Sequence, residues 1–263
     1  MKKYQLECMV LAAVVSAVAS CPAQQCQPTC SPQEAVSPQT KAILNRLQAA
    51  GDRYTTLTAD VNYVVEMRMT GETETRDGWV AFQKNTETTP DMFRIHFDTL
   101  KLDQGKKTAS KLDYIFDGQW LTVAKHNIKS MTRFQVAKPG EKIEALRIGK
   151  GPFPIPFGQK TDDMIKCLQI TTRDAEPDDP ANTDYLKLIP RKNYEDQLNF
   201  KKMEIWIDRE TNLPVKVVVR DRNKNVTTAE FSNIKTQSAI DPSLFQMEKP
   251  AGWDLTIERI KQN

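Results

Sequence analysis

Gly78-Trp79-Val80-Ala81-Phe82, then Asp91-Met92-Phe93-Arg94-Ile95-His96-Phe97-Asp98, then Asp113-Tyr114-Ile115-Phe116-Asp117-Gly118-Gln119-Trp120-Leu121-Thr122-Val123 are the stretches whose reading decides the fold. Phe93, Ile95 and Phe97 alternate with Arg94, His96 and Asp98. That period of two puts large apolar groups on one face of a strand and polar groups on the other. Asp117-Gly118 separates two aromatic-rich segments, and Asp-Gly tolerates the positive φ angles that a tight hairpin demands. The three stretches predict an antiparallel sheet with one apolar face.

Working outward, Val61, Tyr63, Val65, Met67 and Met69 alternate with polar residues and predict a long strand just upstream. Before it, Ser37-Pro38 supplies an N-cap followed by proline at the first helical position. Ile43, Leu44, Leu47, Ala50 and Tyr54 then recur at helical spacing, the mark of an amphipathic helix resting on an apolar surface. Downstream, strands are expected at 130–136, 165–172, 185–189, 200–208, 214–220, 226–234 and 255–260, with a short helix at 139–147. The segment 151–158 holds three prolines and also Phe153, Ile155 and Phe157, so it reads as a loop lying on an apolar surface, either a core-sealing plug or a rim over a cavity. The acidic loop 174–184 fits no calcium-binding pattern and reads as a solvated connection. Altogether the pattern is a mainly β protein: about eleven strands in a curved antiparallel sheet, with two or three helices packed on one side.

Residues 1–20 read as an export signal, with Lys2 and Lys3 ahead of an apolar core from Met9 to Ala19 that is too short for a permanent span. The core ends in Val18-Ala19-Ser20-Cys21, a lipobox-like run that makes Cys21 a candidate for lipidation; cleavage after Ser20 or Ala23 is the alternative. Residues 21–36, rich in Pro, Gln and Ser, read as a flexible linker, and 37–263 as one domain. Cys26 and Cys30 are placed to pair in an oxidising compartment, and neither histidine nor a fourth cysteine accompanies them to suggest a metal.

The net charge of +3 carries no basic stripe with interleaved aromatics, which argues against a nucleic-acid partner. No nucleophile elbow, zinc-protease pair, phosphate-cradling loop or dinucleotide fingerprint occurs. Of the two histidines, His96 falls on the polar side of its strand, where a satisfied or solvated ring is the ordinary outcome. The expectation is a binding protein, not an enzyme, with no cofactor.

The order of these pieces resembles the LolA/LolB superfamily of lipoprotein carriers. The resemblance runs from Ile43-Leu44-Asn45-Arg46-Leu47 and Leu57-Thr58-Ala59-Asp60-Val61 through the stretches quoted first and Pro152-Phe153. It continues in 200–208, Leu213-Pro214 and Phe231-Ser232-Asn233-Ile234, and closes with 240–245 and 250–254. It implies an unclosed antiparallel β-barrel whose concave face is covered by helices and takes up acyl chains. The implied lining comprises Val61, Val65, Met67, Trp79, Phe93, Ile95, Phe97 and Trp120, with Phe153, Ile155 and Phe157 at a lid or rim. The implied role is that of a monomeric periplasmic carrier for lipid or lipoprotein acyl chains in sorting to the outer membrane. Its partners would be a membrane receptor or acceptor lipoprotein, with membrane contact through Cys21. The alternative of a different class is an envelope sensor that binds another protein. The family's arginine of an Arg-Pro turn, which holds the lid closed, has only Lys84 as its counterpart here, followed by an insertion reaching Pro90.

Overall fold

The structure is a computed structural model and describes residues 36–84, 90–138 and 159–260. Helix α1 (Pro38–Arg53) starts as its sequence dictates: the Ser37 hydroxyl accepts a hydrogen bond from the Thr40 amide at 3.1 Å, and Pro38 opens the first turn. Ile43, Leu44, Leu47 and Ala50 form its buried stripe.

The strands follow as β1 (Thr56–Glu66), β2 (Thr73–Gln83), β3 (Met92–Leu102), β4 (Thr108–Phe116), β5 (Trp120–Lys125) and β6 (Ser130–Gln135). After helix α2 (Thr161–Cys167) come β7 (Leu168–Thr171), β8 (Thr183–Pro190), β9 (Phe200–Asp208), β10 (Pro214–Asp221), β11 (Val226–Thr236) and β12 (Asp254–Glu258). They make one twelve-stranded sheet in the order β12-β6-β5-β4-β3-β2-β1-β11-β10-β9-β8-β7. Every neighbouring pair is antiparallel except β12 with β6. The end strands β12 and β7 do not pair with each other, so the sheet is an open half-barrel. Among the described residues, no helix is long and apolar enough to cross a membrane.

The β4–β5 hairpin turns at Asp117-Gly118-Gln119. Gly118 has φ +100°, and Asp117 Oδ1 accepts hydrogen bonds from the amides of Gln119 (2.9 Å) and Trp120 (2.7 Å). A side chain at Gly118 would also strike the ring of Pro90.

Three expectations are corrected. Residues 165–167, read as strand, are the end of α2: Thr161, Met164 and Leu168 are buried at three- and four-residue spacing, and Asp162 and Asp163 favour a helix start. Cys167 is therefore the last helical residue, its thiol directed to the Asp163 carbonyl at 3.0 Å. β1 stops at Glu66, leaving Met69 90% exposed in the following turn. The acidic loop is anchored, not merely solvated: Asp179 takes a bidentate pair of bonds from Arg173 (2.6 and 2.9 Å) and one from the Trp206 indole (2.6 Å). The Arg173 hydrogen bonds hold the Asp179 carboxyl well below the usual carboxylate range, although its burial acts the other way. The helix expected at 139–147 lies outside the described residues.

Candidate functional site

Strand register sorts the side chains into two faces. Phe82↔Phe93↔Phe116↔Leu121 form one row across β2 to β5, and Ala59↔Val80↔Ile95↔Tyr114↔Val123 form the next, starting from β1. The third row runs Phe231↔Val61↔Gly78↔Phe97↔Leu112. On the other side of β11, Ala229↔Val217↔Ile205↔Leu186 carry the same apolar face to β8, and Leu188↔Ile170 carry it on to β7. These residues form one apolar cluster with the buried stripe of α1 and with Met164 of α2, so both helices cover this inner face. The rings of Phe93 and Phe116 stack with centroids 5.6 Å apart.

The sheet is held to α1 at several points. Lys84, at the end of β2, donates to the Gly51 carbonyl (3.0 Å) and to the Asp52 carboxylate (3.1 Å) in the last turn of α1. Arg46 is bound to Asp184, and its Nε donates to Asn212 at 3.1 Å. Gln48 of α1 accepts a bond from the Thr161 amide at the start of α2 (2.8 Å). At the opposite end of the inner face the lining turns polar. Tyr63 lies opposite Arg76, which is paired with Glu74 and sits 6.0 Å from the Phe97 ring centroid. Burial pushes the Tyr63 hydroxyl up to about 12, and burial likewise raises that of Tyr114.

Of the expected lining, Val61, Phe93, Ile95 and Phe97 lie together on the inner face, all buried, and Val65 ends that face beside Glu74 and Thr227. Met67 keeps their parity but stands beyond the end of β1, in the turn. Trp79 and Trp120 are corrections. Trp79 is opposite His96 and Trp120 opposite Gln135, so both project from the outer face. Large aromatic rings are stable on that side because charged groups cap them: the Arg94 guanidinium is 5.5 Å from the Trp79 ring and that of Arg133 5.2 Å from the Trp120 ring. Phe153, Ile155, Phe157 and Cys21 lie outside the described residues. Tyr63, Val80, Tyr114 and Val123 also belong to the inner face: Tyr63 follows Val61 by period two within β1, whereas Val80, Tyr114 and Val123 are placed there by their register with Ile95.

An open groove of about 600 Å³ lies on the outer face, bounded by Thr58, Asp60, Trp79, Ala81, Asn233 and Leu244 among others. Among the described residues, no group of three or more His, Cys, Asp or Glu is placed to hold a metal.

These features define a class: an open antiparallel half-barrel whose apolar inner face is covered by helices. The family model "Outer membrane lipoprotein carrier protein LolA" matches residues 166–248, from the end of α2 to just past the 3-10 turn that follows β11, and over that stretch the chain is similar to the LolA family. The match leaves out 78–123, the stretches from which the sheet is read in the sequence. Among solved structures, the chain is similar to Mycobacterium tuberculosis lipoprotein LppX, at 11% identity and a TM-score of 0.46, over 78% of this chain and 98% of that one. It is similar to LprF from Mycobacterium bovis at 11% identity and a TM-score of 0.45, over 79% and 97%. An uncharacterized conserved protein from Thermus thermophilus gives 12% identity and 0.45, over 84% and 99%. A search of the curated proteins found no match.

Proposed function

We propose that this chain is an exported carrier that takes acyl chains of a lipid or lipoprotein against its inner face, in lipoprotein sorting to the outer membrane. The observation that carries this reading is the apolar surface extending from β5 to β7 on one face, covered by two helices rather than by a second sheet. Each methylene moved from water to such a surface contributes about 0.8 kcal/mol, so a partly inserted chain is held firmly yet releasably. A helix can be displaced from a sheet without breaking any ladder bond, and α1 is the element to move. Residues 1–20 would direct export, Cys21 would be the anchor if lipidated, and 21–36 the tether. The partners under this reading are the acyl chains and a membrane receptor or acceptor lipoprotein; the protein acts as a monomer and performs no chemical step.

Delipidated protein titrated with a fluorescent fatty acid tests the reading. Saturable binding is expected. Val65→Lys, which puts a charge on the inner face, should weaken it by about tenfold or more, whereas Trp79→Ala on the outer face should leave it intact. Absence of saturable binding by the wild type would overturn the assignment.

The Lys84 contact leads to a further expectation. Lys84→Ala should change global stability by less than about 1 kcal/mol, since the pair is partly exposed. It should nonetheless speed amide exchange in the last turn of α1 and raise the rate of probe release. Unchanged exchange there would show that Lys84 does not hold the helix down.

A further inference from the structure

After β11 the chain must pass six strands to reach β12 beside β6. It does so across the outer face. Phe245, fully buried, comes from a short 3-10 turn (Pro242–Phe245) packed against β3. The Leu244 carbonyl accepts a bond from Arg94 Nη1 at 3.2 Å, and the Trp253 ring meets that of His126 edge-on with centroids 5.0 Å apart. Residues 237–253 are thus a strap.

Under this strap lies Asp113 of β4, whose side chain is 0% exposed. Its Oδ1 accepts from Arg94 Nε (2.9 Å) and His96 Nδ1 (2.7 Å), and its Oδ2 from His126 Nε2 (2.7 Å). Both histidines of the chain therefore converge on one carboxylate. The other nitrogen of His96 faces a second carboxylate, Asp98 Oδ1, at 3.1 Å. A neutral imidazole can donate to only one of these two acids; the imidazolium donates to both. The Trp79 ring stacks on His96 at 5.3 Å. The groups facing the cluster are Arg94, His96 and Asp98 from β3, His126 from the turn after β5, Trp79 from β2, and the Leu244 carbonyl and Trp253 ring from the strap.

We propose that this cluster is a proton-operated clasp: protonation of His96 holds the strap on the outer face, and loss of that proton loosens it and widens the groove that Leu244 borders. The coupling follows from solvent exclusion. With the strap seated, Asp113 and His96 interact out of water and strongly; with it lifted, water screens them and His96 titrates as an ordinary histidine. Strap docking thus raises proton affinity, and by reciprocity the proton favours docking. His96 is raised from its ordinary value by the Asp113 hydrogen bond, with burial opposing. A group raised in the docked state contributes fully below the ordinary histidine value and loses its contribution as pH rises through the raised one. Burial would push Asp113 up, but the His96 and Arg94 bonds outweigh it and hold the carboxyl at about 2, so it stays charged throughout.

Hydrogen–deuterium exchange of the full chain from mildly acidic to mildly alkaline pH, corrected for intrinsic rates, is the test. Protection of 241–258 should fall with rising pH while that of β8 and β9 stays level. His96→Gln should abolish the response. Asp98→Asn, at an exposed position that leaves the core untouched, should shift the midpoint to lower pH. Protection of 241–258 that is independent of pH in the wild type, or a midpoint unmoved by Asp98→Asn, would overturn the clasp.

Discussion

Gly78→Ala should destabilise the protein by about 3 kcal/mol or more, seen as a fall in thermal midpoint of roughly 6–12 °C for a domain of this size. Gly78 stands in the middle of β2, opposite Phe97 of β3. A Cβ there would lie 1.8 Å from the His96 carbonyl oxygen and 2.7 Å from the Phe97 Cα. Both atoms are backbone of the neighbouring strand, so no side-chain rotation relieves the overlap, and β2 and β3 must separate at the centre of the inner face. Glycine is required here for close approach of two chains rather than for a positive φ. A thermal midpoint within a degree or two of wild type would show that the sheet can open at this point without cost.

Asp113→Ala should cost about 3–5 kcal/mol, because removing one partner of a buried ionic cluster leaves the others uncompensated. Arg94, His96 and His126 would all lose their shared acceptor, and Arg94 in addition fixes the strap through the Leu244 carbonyl. The damage should be uneven. Amides of the 3-10 turn at 242–245 and of β12 should lose protection first, and those of β8 to β10 last. Chemical denaturation with exchange at the level of peptides reads both quantities; an effect under about 1 kcal/mol would mean that water replaces the carboxylate.

The stretches from Gly78 to Val123 were legible because their period is strict and the hairpin residues are unambiguous. β2 through β5 occur where the alternation places them, and Ser37-Pro38 marks the start of α1. What the residues alone did not disclose was which aromatic belongs to which face across strands. Trp79 and Trp120 look like natural companions of Phe93, yet facing is set by register, and register runs Trp79 to His96 and Trp120 to Gln135. The outer face accepts them because it has an apolar layer of its own: Ala81, Ile115, Ala124 and Met131 are buried on that side, where Phe245 from the strap also packs. Asp113 in Lys111-Leu112-Asp113-Tyr114 reads as an ordinary solvent-facing acid, since its partners come from 13 to 19 residues away. The parallel pairing of β12 with β6 was equally hidden, because a strand's own sequence does not name its neighbour. Cys167 fell on the wrong element because α2 and β7 abut with no breaker between them.

The proposed carrier role requires that acyl chains be held on the inner face of the sheet. Photo-crosslinking with a diazirine-bearing fatty acid, followed by residue-level mapping of the adducts, decides this. Adducts are expected on Phe93, Ile95, Tyr114 and Val123 and on the buried stripe of α1, competed away by unlabelled fatty acid. Adducts confined to Trp79, Ala81, Lys235 and Leu244, around the outer groove, would mean that the inner face is a packed core and not a container.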